Sequence, residues 1–145
     1  MKRIRKAAAV FIAAVVLLSL FGCAGLSESI KYKNTDGGLA LFRYSGIPTV
    51  DRLTIPAEKD GKPVVEIMEF AVSSAEYLKT VTIGKNIRKI AQRAFTNCPA
   101  LEAYKVENGN AWFETDGSGV LYTKGKKALV AYPCARVKLE KDSGR

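Results

Sequence analysis

The sequence predicts an α/β chain: a short repeat solenoid of parallel strands plus short helical turns, flanked by capping β-hairpins. Three observations predict it: an apolar pattern recurring after 23 residues, a hexamer in each repeat that alternates as a strand does, and turn-rich hairpin signatures on either side. At 145 residues the chain allows one modest domain. It contains no histidine, which removes histidine-based general bases, histidine-containing triads and most zinc sites at the outset.

The N-terminus reads as processed. Lys2, Arg3, Arg5 and Lys6 precede an uncharged run from Ala7 to Gly22, a secretory n-region followed by an h-region. Its 16 residues would span about 24 Å as a helix, short of the roughly 30 Å of a bilayer core. Leu20-Phe21-Gly22-Cys23 ends the run and resembles a bacterial lipobox, which implies cleavage after residue 22 and lipidation of Cys23. The acyl chains would hold the protein to a membrane, with its body outside the cytoplasm. Cleavage would lower the net charge from +9 to +5, so most of the basic excess belongs to targeting. The remainder suits weak attraction to anionic envelope polymers and does not point to nucleic acid. Residues 23–29 are small and polar and read as a tether.

Residues 30–133 carry the domain. At its front, Ile30-Lys31-Tyr32 and Leu39 to Tyr44 flank the turn-rich link Asn34 to Gly38, the pattern of a hairpin cap. The repeat follows. Val64, Ile67, Ala71, Leu78, Val81 and Ile83 recur after 23 residues as Ile87, Ile90, Ala94, Leu101, Tyr104 and Val106, while the polar positions between them vary. Val50 to Ile55 is a third strand copy, displaced by 28 residues because the connection from Pro56 to Pro63 is longer and turns at Asp60-Gly61. One such unit cannot bury its own apolar face, but stacked units place like positions about 4.8 Å apart and form continuous columns. The expected columns are Val50, Leu78 and Leu101; Leu53, Val81 and Tyr104; and Ile55, Ile83 and Val106. Glu69 to Ser74 and Gln92 to Asn97 are expected to be short helical turns that pack Ala71 and Ala94 inward, with Glu66 and Glu69 at a helix entry.

Leu53-Thr54-Ile55-Pro56, Asp60-Gly61-Lys62-Pro63-Val64, Ile67, Val81-Thr82-Ile83, Ile87, Ile90, Ala94-Phe95-Thr96-Asn97-Cys98 and Leu101 together resemble the BspA-like leucine-rich repeat family. The resemblance covers roughly residues 39–133, including Gly119-Val120-Leu121-Tyr122 and Tyr132-Pro133. It departs at Glu69-Phe70-Ala71-Val72, where an Ala-Phe order is usual, and at Gly84, where proline is common. It implies a leucine-rich repeat solenoid that is exported, binds other macromolecules and performs no catalysis. Relatives often begin another block where this chain has only a basic tail, 134–145, so it reads either as a minimal member or as a truncated fragment of a larger repeat protein. A structural envelope lipoprotein that self-associates through its solenoid ends is the competing reading.

At the back, Gly119 to Thr123 and Ala128 to Tyr132 flank Lys124 to Lys127 as a second hairpin, with Trp112 and Phe113 expected beneath it. Exposed, Trp112 would instead be a ligand anchor. Cys98 and Cys134 are the thiols left after lipidation and permit a disulfide in an oxidising compartment, while offering too few ligands for zinc. Asp116 to Gly119 reads as a turn, since it lacks the spaced carboxylates of a calcium loop and the lysine of a phosphate loop. No cofactor, metal or catalytic residue is expected. Strand alternation assigns the candidate binding face to Arg52, Thr54, Thr80, Thr82 and Lys105, beside Ala103, with Asp51, Lys79 and Glu102 at the rim. A protein or envelope polymer is the expected ligand, and oligomeric state is left open.

Overall fold

A computed structural model of the chain describes residues 28–137. The signal segment, Cys23, most of the tether and residues 138–145 of the tail lie outside the described residues. The front hairpin pairs β1 (Ser29–Thr35) antiparallel with β2 (Gly38–Ser45). Pairing runs through to Thr35 and Gly38, so the turn is only Asp36-Gly37, tighter than the expected link, with Gly37 at φ 83°. The chain continues through β3 (Arg52–Ile55), β4 (Glu58–Lys59), β5 (Lys62–Ile67), β6 (Val72–Ser73), β7 (Thr80–Ile83), β8 (Lys89–Ile90), β9 (Phe95–Thr96) and β10 (Ala103–Val106). It closes with β11 (Phe113–Thr115), β12 (Leu121–Thr123) and β13 (Leu129–Ala131).

These strands stack into three walls. β7 lies between β3 and β10 in one parallel sheet, with Leu53, Val81 and Tyr104 in register and Ile55, Ile83 and Val106 in the next row. β5 and β8 form the second wall, β6 and β9 the third. The long strand β2 heads both, pairing its Leu39–Leu41 half with β5 and its Tyr44 with β6. The residues that lengthen the first connection form a small hairpin, β4 against the start of β5, across Asp60 and Gly61 at φ 52° and 73°. At the far end, β11–β12–β13 form a separate antiparallel sheet.

The expected α/β class is therefore corrected. Among the described residues helix is confined to one turn at 134–137 and a short 3-10-type turn at Lys124–Lys126 in which Gly125 and Lys126 are left-handed, and the two segments expected to be helical contain β6 and β9. Six residues can close barely one helical turn, and that nucleus is unfavourable by itself. The neighbouring coil offers better partners: Phe70 N donates to Arg93 O at 2.8 Å, Val72 N to Ala94 O at 2.9 Å and Ser74 N to Thr96 O at 3.0 Å. The corners are turned by left-handed residues, Phe70, Ser74 and Asn97, at φ between 50° and 56°. Glu66 is accordingly not at a helix entry. It sits on β5, where its carboxylate pairs with Lys89 at 2.8 Å and accepts from the Thr35 hydroxyl at 3.4 Å.

Inside the three walls lie Leu41, Leu53, Ile55, Ile67, Leu78, Ile83, Ile87 and Leu101, none more than 1% exposed. Each contributes about 1.5–3 kcal/mol by leaving water. Ala71 and Ala94 are buried as well, and their small size lets the corners approach closely. Val50, expected in the first column, is only partly buried. The aromatic pair near the back divides: Phe113 enters the core, whereas Trp112 stays 45% exposed instead of lying beneath the hairpin. The one buried polar side chain among the described residues is Asn110, which bridges the last coil to the chain leading into β11.

Candidate functional site

The outward side of the β3–β7–β10 wall carries every residue of the candidate binding face. Because strand side chains alternate, Arg52, Thr80 and Ala103 form one outward row and Thr54, Thr82 and Lys105 the next. Arg52, Thr54 and Lys105 are exposed, while Thr80 and Thr82, in the middle strand, are flanked on both sides and half-buried. Backbone hydrogen bonds tie the entries of the three strands together. Asp51 O accepts from Lys79 N and Thr80 N at 2.8 and 3.1 Å, and Lys79 O accepts from Glu102 N and Ala103 N at 2.9 and 3.2 Å. Asp51 and Arg52 pair at 3.8 Å with both side chains in water, a contact worth at most about 1 kcal/mol.

The turn between β11 and β12 bounds this face in a way the pattern of strands did not reveal. Gly119 O accepts from Tyr104 N at 2.8 Å, and a Cβ on Gly119 would sit 2.6 Å from the Cβ of Ala103. Gly119 thus packs closely against Ala103, which stays half-buried at the edge of the face. A concavity of about 510 Å³ remains beside it, with Glu102, Lys105, Asp116, Ser118 and Arg136 in its walls. Asp116 shapes the turn as expected, its Oδ1 accepting from Ser118 N and Val120 N at 2.9 Å each. Those donors, Val120 foremost, hold its carboxyl below the usual range. Arg136 and Asp116 therefore join Lys105 in a mixed-charge pocket at one end of the threonine rows. The nearness of Lys105 to Asp116 depends on how the turn docks, a contact between elements that no local spacing encodes.

A second cleft, of about 130 Å³, opens at the front between the chain after β2 and the chain before β7. Tyr44 lines it, 3% exposed, with a hydroxyl that meets no hydrogen-bond partner of good geometry. Burial raises its pKa to about 12, and the Glu28 carboxylate adds to this through its negative charge and as a hydrogen-bond acceptor for the neutral phenol. Tyr32 and Tyr104 are raised by burial too. The fold thus favours neutral phenols. For Tyr44 the contribution to stability is complete below pH 10, the ordinary tyrosine value, and is lost as pH rises toward about 12. An alkaline titration should show tyrosinate absorbance from these rings appearing together with loss of near-ultraviolet circular dichroism. Tyr44→Phe should change stability by no more than about 1 kcal/mol at pH 7, because it removes a buried hydroxyl that makes no well-formed hydrogen bond and has the Glu28 carboxylate as a polar neighbour.

Among the described residues no group of three or more Cys, Asp or Glu side chains is placed to hold a metal ion, and no helix is long and apolar enough to cross a membrane. No family model matches the chain. No curated protein is significantly similar to it. Among solved structures, that of the pneumococcal vaccine antigen PcpA is similar at 20% identity and a TM-score of 0.46, over 60% of this chain and 26% of the other. The chain thus spans about a quarter of that neighbour's length.

Proposed function

We propose that the chain is an exported, lipid-anchored module that binds a protein or envelope polymer through the outward face of β3–β7–β10 and catalyses no reaction. The observation that carries this reading is the pair of parallel rows, Arg52 with Thr80 and Thr54 with Thr82 and Lys105, held in register on three paired strands. Threonine hydroxyls donate and accept, Arg52 and Lys105 add positive charge, and Glu102 with Asp116 supplies the opposite sign at one end. Such a face suits an extended polar ligand. It is small, so single contacts are weak, and many anchored copies on one membrane would raise the effective affinity. The lipobox-like Leu20 to Cys23 and the resemblance to the BspA-like repeats support the same reading.

The test compares cells carrying the full chain with cells carrying Cys23→Ser or the pair Thr82→Glu and Lys105→Glu, challenged with immobilised matrix protein and with isolated cell wall. The Cys23→Ser chain is expected to leave the membrane fraction. The face variant is expected to stay anchored and folded but to bind about tenfold more weakly, the equivalent of roughly 1.4 kcal/mol. Equal binding by the face variant and the parent to every surface would remove the assigned face.

A further inference from the structure

Cys98 and Cys134 line one apolar cleft of about 400 Å³, together with Asn97, Pro99, Tyr132 and Val137. Backbone bonds put them there. Cys98 follows the left-handed corner at Asn97 (φ 50°), and Leu101 N donates to Cys98 O at 3.1 Å. The carbonyl of that same Leu101 accepts from Ala135 N at 2.9 Å, which ties the helical turn at 134–137 to the end of the second coil. The thiols are close enough that a negative charge on Cys134 is felt at Cys98, and charge on either is felt at the Tyr104 phenol. Their surroundings differ. Cys98 is 1% exposed, with its Sγ 3.3 Å from Thr96 O, whereas Cys134 is only partly buried.

We propose that Cys98 and Cys134 form an intramolecular disulfide when the chain meets a disulfide oxidant, fastening the C-terminal turn to the last coil. The Cys134 thiolate, the accessible one, attacks the oxidant disulfide, forms a mixed disulfide and expels one thiolate. Cys98 then loses its proton, attacks the Cys134 sulfur and expels the second thiolate. Two protein thiols are thereby oxidised by two electrons as one small disulfide is reduced to two thiols, with two protons released and taken up by the leaving groups. Burial raises the pKa of Cys98, so its attack is the slow step. The cross-link closes a loop that contains β10 to β13 and restricts the unfolded chain accordingly.

The reduced full chain is equilibrated with a mixture of oxidised and reduced glutathione, quenched with acid, alkylated and peptide-mapped. The expected result is coupled loss of free thiol at both positions, one linked Cys98–Cys134 peptide pair in a monomer, and a Tm several degrees above that of the reduced protein. Cys23→Ser should leave this unchanged, while Cys134→Ser, at a partly buried position, should abolish both the linked pair and the redox dependence of Tm. Glutathione held at Cys134 with Cys98 still free, or a link from either residue to Cys23 or to another chain, would overturn the proposal.

Discussion

Gly84→Ala is expected to lower the stability of the domain by about 3 kcal/mol, seen as a lower urea midpoint with an unchanged slope. Gly84 follows β7 directly, so it stacks above Pro56, which follows β3 in the preceding coil. A Cβ at Gly84 would lie 2.7 Å from Ala57 N, Ile55 O and the carbonyl carbon of Pro56. All three are backbone atoms, so no side-chain rotation can relieve the overlap, and the two coils must part. Parting them strains the rows beneath, because Ile55 and Ile83 are paired and fully buried. For a domain of this size 3 kcal/mol is a large share of a total near 5–15 kcal/mol. Gly117→Ala supplies the control: nothing lies within 4 Å of its Cβ and its φ is not left-handed, so its effect should be close to zero.

The same glycine shows where the sequence was readable. The rows of the first wall were legible because a strand alternates with period two, and a shift of one residue would have turned Leu53, Val81 and Ile83 to water. The longer spacing before β7 was legible too, since Asp60-Gly61 is a hairpin turn by composition. Glu69 to Ser74 and Gln92 to Asn97 were not. Each is too short to display a period, and what makes β6 and β9 strands is a set of hydrogen bonds supplied by a coil 23 residues away, such as Ser74 N to Thr96 O. The face was legible in its rows and illegible at its end. Arg52, Thr54 and Lys105 follow from alternation, but the packing of Gly119 on Ala103 and the arrival of Asp116 and Arg136 depend on docking between distant elements. At Trp112 and Phe113 either ring satisfies an apolar pattern, and the step into β11 buries Phe113. Gly84 itself stood out only as a departure from proline. Its reason is the backbone of the coil beneath.

Asn110 had no signal at all, and its replacement should have the largest effect of those considered. The side chain is 4% exposed and uses both ends: Nδ2 donates to Gly84 O and Ile87 O at 3.0 Å each, and Oδ1 accepts from Trp112 N and Phe113 N at 2.8 Å each. It thus ties the chain after β7 to the segment that enters β11. In sequence it is one more residue of Glu107-Asn108-Gly109-Asn110, a polar turn like any other. Asn110→Ala strands two amides and leaves two carbonyls short of a donor. Gly84 O keeps its bond from Ile87 N, and at about 1–3 kcal/mol for each group left wanting inside, the expected loss is about 4 kcal/mol. Asn110→Asp separates lost bonds from lost volume. It preserves shape and both acceptor contacts, but at pH 7 it points a charged oxygen at two carbonyls and should unfold more readily than the alanine variant. Its folded form favours the protonated acid, so its pKa there lies above the unfolded value, and stability returns as pH falls through that raised value. Urea melts at pH 7 and near pH 4 should therefore reverse the order of the two variants, whereas an unchanged order would assign the defect to packing alone. Because Gly84 O is an acceptor for Asn110, the double variant with Gly84→Ala should fall short of the sum of the single losses.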